Sequence, residues 1–152
     1  MQWLEHKVPP PIFGLLCAIG MWWTSPGFHW YAVGTLRYSL AGLVLLVGLG
    51  FDVLGLLAFQ RARTTVNPLR PGKASALVAT GVYRITRNPM YVGMALLLCA
   101  WAVVLGFLAA LAGPLVFVLF ITRFQIVPEE RVLSAKFGEN YTRFCQQVRR
   151  WL

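Results

Sequence analysis

The sequence predicts an all-α protein, an integral membrane bundle of about four transmembrane helices with a C-terminal amphipathic helix. Three observations carry that expectation. Of the 152 residues, 58% are apolar and 12% charged, whereas about a quarter of a soluble domain is charged. The charges are clustered, leaving apolar runs long enough to cover the roughly 20 residues that a hydrocarbon core about 30 Å thick requires. Apolar residues in the tail recur at steps of three and four, the spacing of one helical face. The chain reads as a single membrane domain, residues 1–152, with no room for a separate soluble one.

The first span is expected over 12–23. Pro9, Pro10 and Pro11 precede it, which suits the start of a helix but not its interior. Lys7 ahead of an apolar run raises the reading of a signal peptide, but no clear small-residue cleavage site follows, so a retained span is expected. Trp3, Trp22, Trp23 and Trp30 fit membrane interfaces. After a loop near Ser25-Pro26-Gly27, a second span covers 36–59. The basic loop 60–88 follows, and its run from Val66 to Lys73 is too broken by Pro and Gly for a long helix or strand. The apolar stretch 89–127 exceeds one crossing. A break near Leu105-Gly106-Phe107 divides it into spans 89–105 and 108–127, with Pro114 read as a kink. In the tail, 130–152, Leu133, Phe137, Tyr141, Phe144, Val148 and Trp151 share one face, and most basic residues lie off it. That pattern predicts an interfacial helix.

The net charge of +9 comes from 14 basic residues, six between Arg61 and Arg87 and six between Arg123 and Arg150. Both clusters flank spans, so the positive-inside rule accounts for them without a nucleic-acid partner. Four spans bring both clusters and both termini to one side, read as cytoplasmic. Cys17, Cys99 and Cys145 are odd in number and far apart, and His6 and His29 are isolated. Neither a disulfide framework nor a metal site is expected.

The chemistry gathers at the two ends of the stretch 89–127, which fold-back brings to one membrane face. Glu129 and Glu130 follow Pro128 at the exit of the last span. They are either first-turn acids that favour a helix dipole or ligands for a cation. Arg84 and Arg87 are either topology determinants or anion contacts. Arg87-Asn88-Pro89 stands where a helix begins, and free N–H groups there favour an anion. Tyr83 and Tyr91 flank that spot. Donors for an anion, acids for a cation and an aromatic lining are together what S-adenosyl-L-methionine needs. Asp52 is separate: a carboxylate inside a span costs roughly 2.5–3.5 kcal/mol at a helix centre and less toward an end. It is either functional or faces a wet cavity.

Gly81-Val82-Tyr83, the run Arg87 to Gly93, Glu129-Glu130-x-x-Leu133 and Phe137-Gly138-x-x-Tyr141 resemble the membrane methyltransferases typified by isoprenylcysteine carboxyl methyltransferase. Phospholipid methyltransferases share the general pattern. The resemblance covers about 64–151. It implies a cofactor, S-adenosyl-L-methionine, held by Leu77, Val78, Tyr83, Asn88, Pro89, Met90, Tyr91 and Glu129, with Arg87 beside them. The sequence departs from the family pattern at Asn88, where eukaryotic members carry His, and at Gln125, in place of a substrate-facing arginine. Arg123 and Glu130 are the catalytic candidates, Arg123 to orient an anionic acceptor and Glu130 to support the site or accept a proton. The expected function is methylation of a lipophilic small molecule or lipid in a bacterial inner membrane. The alternative is a small transporter or assembly subunit using Asp52.

Overall fold

The computed structural model describes residues 5, 7–25, 34–62 and 77–152, and among them all regular structure is helical. Trp3, Trp30, most of the expected loop at 25–27 and the run Val66–Lys73 lie outside the described residues. Six α-helices follow in order: α1 Pro10–Trp23, α2 Thr35–Arg61, α3 Pro89–Leu105, α4 Ala112–Ile121, α5 Val127–Phe137 and α6 Glu139–Gln147. Short 3₁₀ turns at Gly81–Arg84 and Leu108–Leu111 and a π-helical turn at Thr122–Ile126 join them.

Among the described residues, two helical runs are long and apolar enough to cross a membrane, α2 and the continuous run Leu108–Phe137. With 27 and 30 residues they extend about 40 and 45 Å at roughly 1.5 Å per residue. α1 and α3 are apolar but shorter, at 14 and 17 residues. α2 is apolar nearly all round, yet it buries only Ala41, Gly48 and Gly55. Leu40, Leu43, Leu46, Val53 and Leu54 are exposed. A helix of that kind belongs in lipid, where an apolar outer face carries no penalty.

The buried positions of α2 are small because α3 comes close. A Cβ on Gly48 would stand 3.0 Å from the Gly93 carbonyl oxygen, and one on Gly55 2.8 Å from Met90 Cγ. From the other side, a Cβ on Gly93 would stand 2.8 Å from the Gly48 carbonyl oxygen and collide with the Asp52 carboxylate. Near-backbone contact of this type is how helices associate where no hydrophobic force separates lipid from side chain. α1 packs on α3 and α4. Phe13 stacks on Phe120 with centroids 3.8 Å apart, and Trp101 donates its indole N–H to the Ala18 carbonyl at 3.1 Å. Phe117, Ile121 and Ile126 form the fully buried centre of this layer.

α3 stops at Gly106, whose φ of +70° is open to glycine at little cost. Arg37 fills the space where a Cβ would stand. Pro114 stands just after the 3₁₀ turn Leu108–Leu111, where the helical register changes. It is buried in the first turn of α4, where its missing N–H is one of the unpaired donors in any case. The tail differs from the single helix read over 130–152. Its helix begins at Val127 and continues from the π turn, so Glu129 and Glu130 do not sit at a free helix start and the dipole explanation for them lapses. The helix then breaks at Gly138 (φ +52°), and α6 ends at Val148, whose own backbone is extended.

Gly93→Ala is expected to destabilise the protein by about 1–3 kcal/mol through overpacking, read as a lower melting temperature in detergent. Gly50→Ala, where a Cβ meets nothing within 4 Å, is expected to leave the melting temperature unchanged or raise it.

Candidate functional site

The segment leading into α3 is shaped by its apolar residues. In the 3₁₀ turn Gly81–Arg84, Val82 and Tyr83 turn inward. Tyr83 meets Phe59 of α2 edge-on at 5.5 Å and clusters with Val78, Tyr141, Phe144 and Val148, with Leu77 packed alongside. Thr86 is fully buried, and its hydroxyl accepts the Asn88 N–H at 3.2 Å. Buried Pro89 then opens α3, and Tyr91 projects from its first turn.

The adjacent glutamates of α5 have opposite surroundings. Glu129 Oε1 accepts the Tyr91 hydroxyl at 2.8 Å. Tyr83 lies near enough that burial, and then the Glu129 charge, push its phenol well above the usual range, keeping it a neutral donor. Among the described residues Glu129 has no ion pair. Glu130 has two. Arg87 Nη1 stands 3.1 Å from its Oε1, while Arg150 grips it with both prongs, Nε to Oε1 at 2.9 Å and Nη2 to Oε2 at 2.7 Å. This bidentate pairing is the strong form of a carboxylate–guanidinium contact, and the Glu130 hydrogen bond holds Arg150 above its ordinary pKa. Arg87 also donates to Cys145 Sγ at 2.6 Å. Its Nε is buried without a partner among the described residues.

The segment after α6 lies along the turn before α3. The Arg87 N–H donates to the Arg149 carbonyl at 2.9 Å. The Arg150 carbonyl accepts both the Thr86 hydroxyl at 3.2 Å and the Asn88 side-chain amide at 2.9 Å. Trp151 donates its indole N–H to Thr122 Oγ1 at 3.1 Å, and that hydroxyl in turn donates to the Val118 carbonyl at 2.6 Å inside the helix.

Of the residues singled out in the sequence, Tyr83, Tyr91 and Glu129 come together, and Arg87, Asn88 and Glu130 stand beside them. Leu77, Val78 and Pro89 line the apolar backing. Met90, like Pro89, meets Gly55 of α2. Arg123 stands apart. It is exposed, pairs with Glu5 at 3.4 Å and lies over the Phe124 ring at 5.5 Å. Glu5 also accepts Arg131 at 2.8 Å, which holds its carboxyl below the ordinary value. Gln125 is fully buried and donates to the Val8 carbonyl at 2.8 Å. Asp52 Oδ1 is buried without a hydrogen-bond partner among the described residues. Sequence reasoning passed over Thr86, Thr122, Arg150 and Trp151 as parts of the site. The available signals were a hydroxyl inside an apolar run at Thr122 and a tryptophan closing the apolar stripe.

Fold and site together define an α-helical membrane protein that gathers two tyrosines, two arginines and two glutamates at one end of its helices. Residues 36–140 match the model of the phospholipid methyltransferase family. The chain belongs to that family, one of the isoprenylcysteine carboxyl methyltransferase-like group of membrane methyltransferases. An uncharacterized protein of Haemophilus influenzae is 48% identical over 63 residues, which are 41% of this chain and the whole of that protein. No solved structure matches the chain.

Tyr91→Phe removes the hydrogen bond to the Glu129 carboxyl and is expected to lower stability by about 1 kcal/mol. Glu130→Gln strands two partly buried guanidiniums; the full penalty for breaking a buried pair is about 3–5 kcal/mol, and the exposure of Arg150 brings it below that. Thermal melts of the purified variants check both.

Proposed function

We propose that the protein is an S-adenosyl-L-methionine-dependent methyltransferase acting on a lipophilic acceptor dissolved in the bilayer. The observation that carries this reading is the contrast between the two glutamates. Glu130 is neutralised by Arg87 and Arg150, whereas Glu129 is held by a phenol and, among the described residues, lacks a cation. A partly buried carboxylate of that kind fits the positive end of a ligand. Tyr83 and Tyr91 offer aromatic faces beside it, suited to an adenine or a sulfonium. Family membership supports the reaction class.

When bound, the cofactor supplies an electrophilic methyl group to a lone pair of the acceptor. The chain's part is to align the two and exclude water. Glu129 balances the cofactor's positive charge, and the Tyr91 hydroxyl fixes the carboxylate's direction. Asn88 and Arg87 border the anionic end, with Leu77, Val78, Pro89 and Met90 completing the apolar wall. Glu130 braces the site from behind. Arg123, six positions before Glu129 and exposed, would exchange its Glu5 partner for an anionic acceptor headgroup. The helices form four crossings, with both basic clusters and the cofactor site on the cytoplasmic side of a bacterial inner membrane. The shorter α1 and α3 are matched by local thinning of the bilayer.

The second reading, a small transporter or assembly subunit, has behind it the unpartnered Asp52 oxygen. Transport predicts that Asp52→Asn abolishes uptake while Glu129→Gln is mild. Methyl transfer predicts the reverse order.

Glu129→Gln is expected to weaken cofactor binding about 100-fold, a loss of roughly 2.7 kcal/mol, measured by calorimetry in detergent and in lipid. Equal losses for S-adenosylmethionine and S-adenosylhomocysteine assign Glu129 to the ammonium, and a loss for S-adenosylmethionine alone assigns it to the sulfonium. Unchanged binding of both would overturn its role. Transfer of labelled methyl into extracted lipids, followed by mass spectrometry, identifies the acceptor.

A further inference from the structure

The segment Val148–Trp151 makes four kinds of contact, and each reaches a different part of the proposed cofactor clamp. The Arg150 side chain holds Glu130. The Arg150 carbonyl takes the Asn88 amide and the Thr86 hydroxyl. The Arg149 carbonyl takes the Arg87 N–H, and the Trp151 indole holds Thr122 in the π turn that leads to Glu129. One short stretch therefore fixes both walls of the site, the turn before α3 and the helix carrying the glutamates. The walls also meet each other directly, through the Tyr91 hydroxyl to Glu129 and the Arg87–Glu130 ion pair at 3.1 Å.

We infer that Val148–Trp151 positions the clamp for the cofactor, with Arg150, Thr86 and Trp151 as positioning residues that set affinity without touching the ligand. This rests on the reading of Tyr83, Tyr91, Asn88 and Glu129 as a cofactor clamp. The physical reason is pre-organisation. Asn88 and Thr86 each have a side chain free to rotate, and the Arg150 carbonyl selects one orientation of both. Glu130 is likewise fixed by the two-pronged grip, which a monodentate ammonium does not reproduce. A ligand that finds these groups already ordered does not lose affinity to ordering them. Trp151 acts at longer range. Its indole N–H ties the tail to Thr122, whose hydroxyl is already bonded within the helix at Val118, so the π turn and the tail move as one unit.

The test is calorimetric titration of purified full-length protein with S-adenosylhomocysteine, comparing wild type with Arg150→Ala, Arg150→Lys, Thr86→Val and Trp151→Phe. Arg150→Ala is expected to weaken binding at least tenfold, Arg150→Lys less, and Thr86→Val and Trp151→Phe about threefold each. Thr86→Val preserves shape, so it reports its hydrogen bond when Arg150→Ala fails to fold, and Trp151→Phe removes the indole N–H together with one ring. A purely structural role predicts something else: fewer binding sites per chain as the folded fraction falls, with the dissociation constant of the remaining sites unchanged. That pattern, or wild-type affinity in all four variants, overturns the positioning role and leaves the cofactor reading intact. Failure of the wild type itself to bind, in detergent and in lipid, overturns the cofactor reading and this role with it.

Discussion

Glu130 is the constraint on which the rest of the site depends. Its two oxygens hold guanidiniums from the turn before α3 and from the segment after α6. Three stretches far apart in sequence are therefore locked by one carboxylate. Arg87 is largely buried, and an unpaired charge there would be costly. Satisfying it brings the turn Thr86–Asn88 to the helix of the glutamates, and Arg150 brings the tail to the same point. Glu129 follows from this arrangement. Successive residues on a helix are about 100° apart, so once Glu130 faces the arginines, its neighbour is turned toward Tyr91. Two identical side chains thus receive opposite electrostatic tasks from a one-residue step.

The all-helical character was legible because clustering of charge leaves apolar runs with nothing to interrupt them. The turn at Gly106 was legible for the same reason, as a glycine between two such runs. The π turn was not. It replaces one hydrogen-bond register by another, Val127 N–H to Thr122 C=O, without changing the character of any residue. It also explains why Pro128 opens no new helix: a register already widened accommodates a residue that lacks the N–H. The break at Gly138 was hidden by the apolar stripe running across it. Leu133, Phe137, Tyr141, Phe144 and Val148 do share one cluster, although two helices carry them. Periodicity reports which side chains face inward, not whether the backbone between them is continuous. Trp151 leaves the stripe and packs on the other cluster.

The same distinction applies to the site. Tyr91 and Glu129 are 38 residues apart and were placed together by fold-back alone, because side-chain chemistry marks them at both ends. The partner of Asn88 and Thr86 carries no such mark. It is a main-chain carbonyl, which every residue possesses, so composition cannot single out Arg150 for that role. Arg150 was read as one more interfacial cation, and its Glu130 contact depends on a non-helical tail that a helical pattern conceals.

The ends of the helices also order the chain relative to the membrane. Gln125 reaches the Val8 carbonyl just before α1 begins, and Met90 at the start of α3 meets Gly55 near the end of α2. Tyr91 meets Glu129 beyond α4. These contacts gather the start of α1, the end of α2, the start of α3 and the exit of α4 at one end. At the opposite end Arg37, beginning α2, fills the space beside Gly106, which ends α3. Successive helices therefore reverse direction, as the proposed four crossings require.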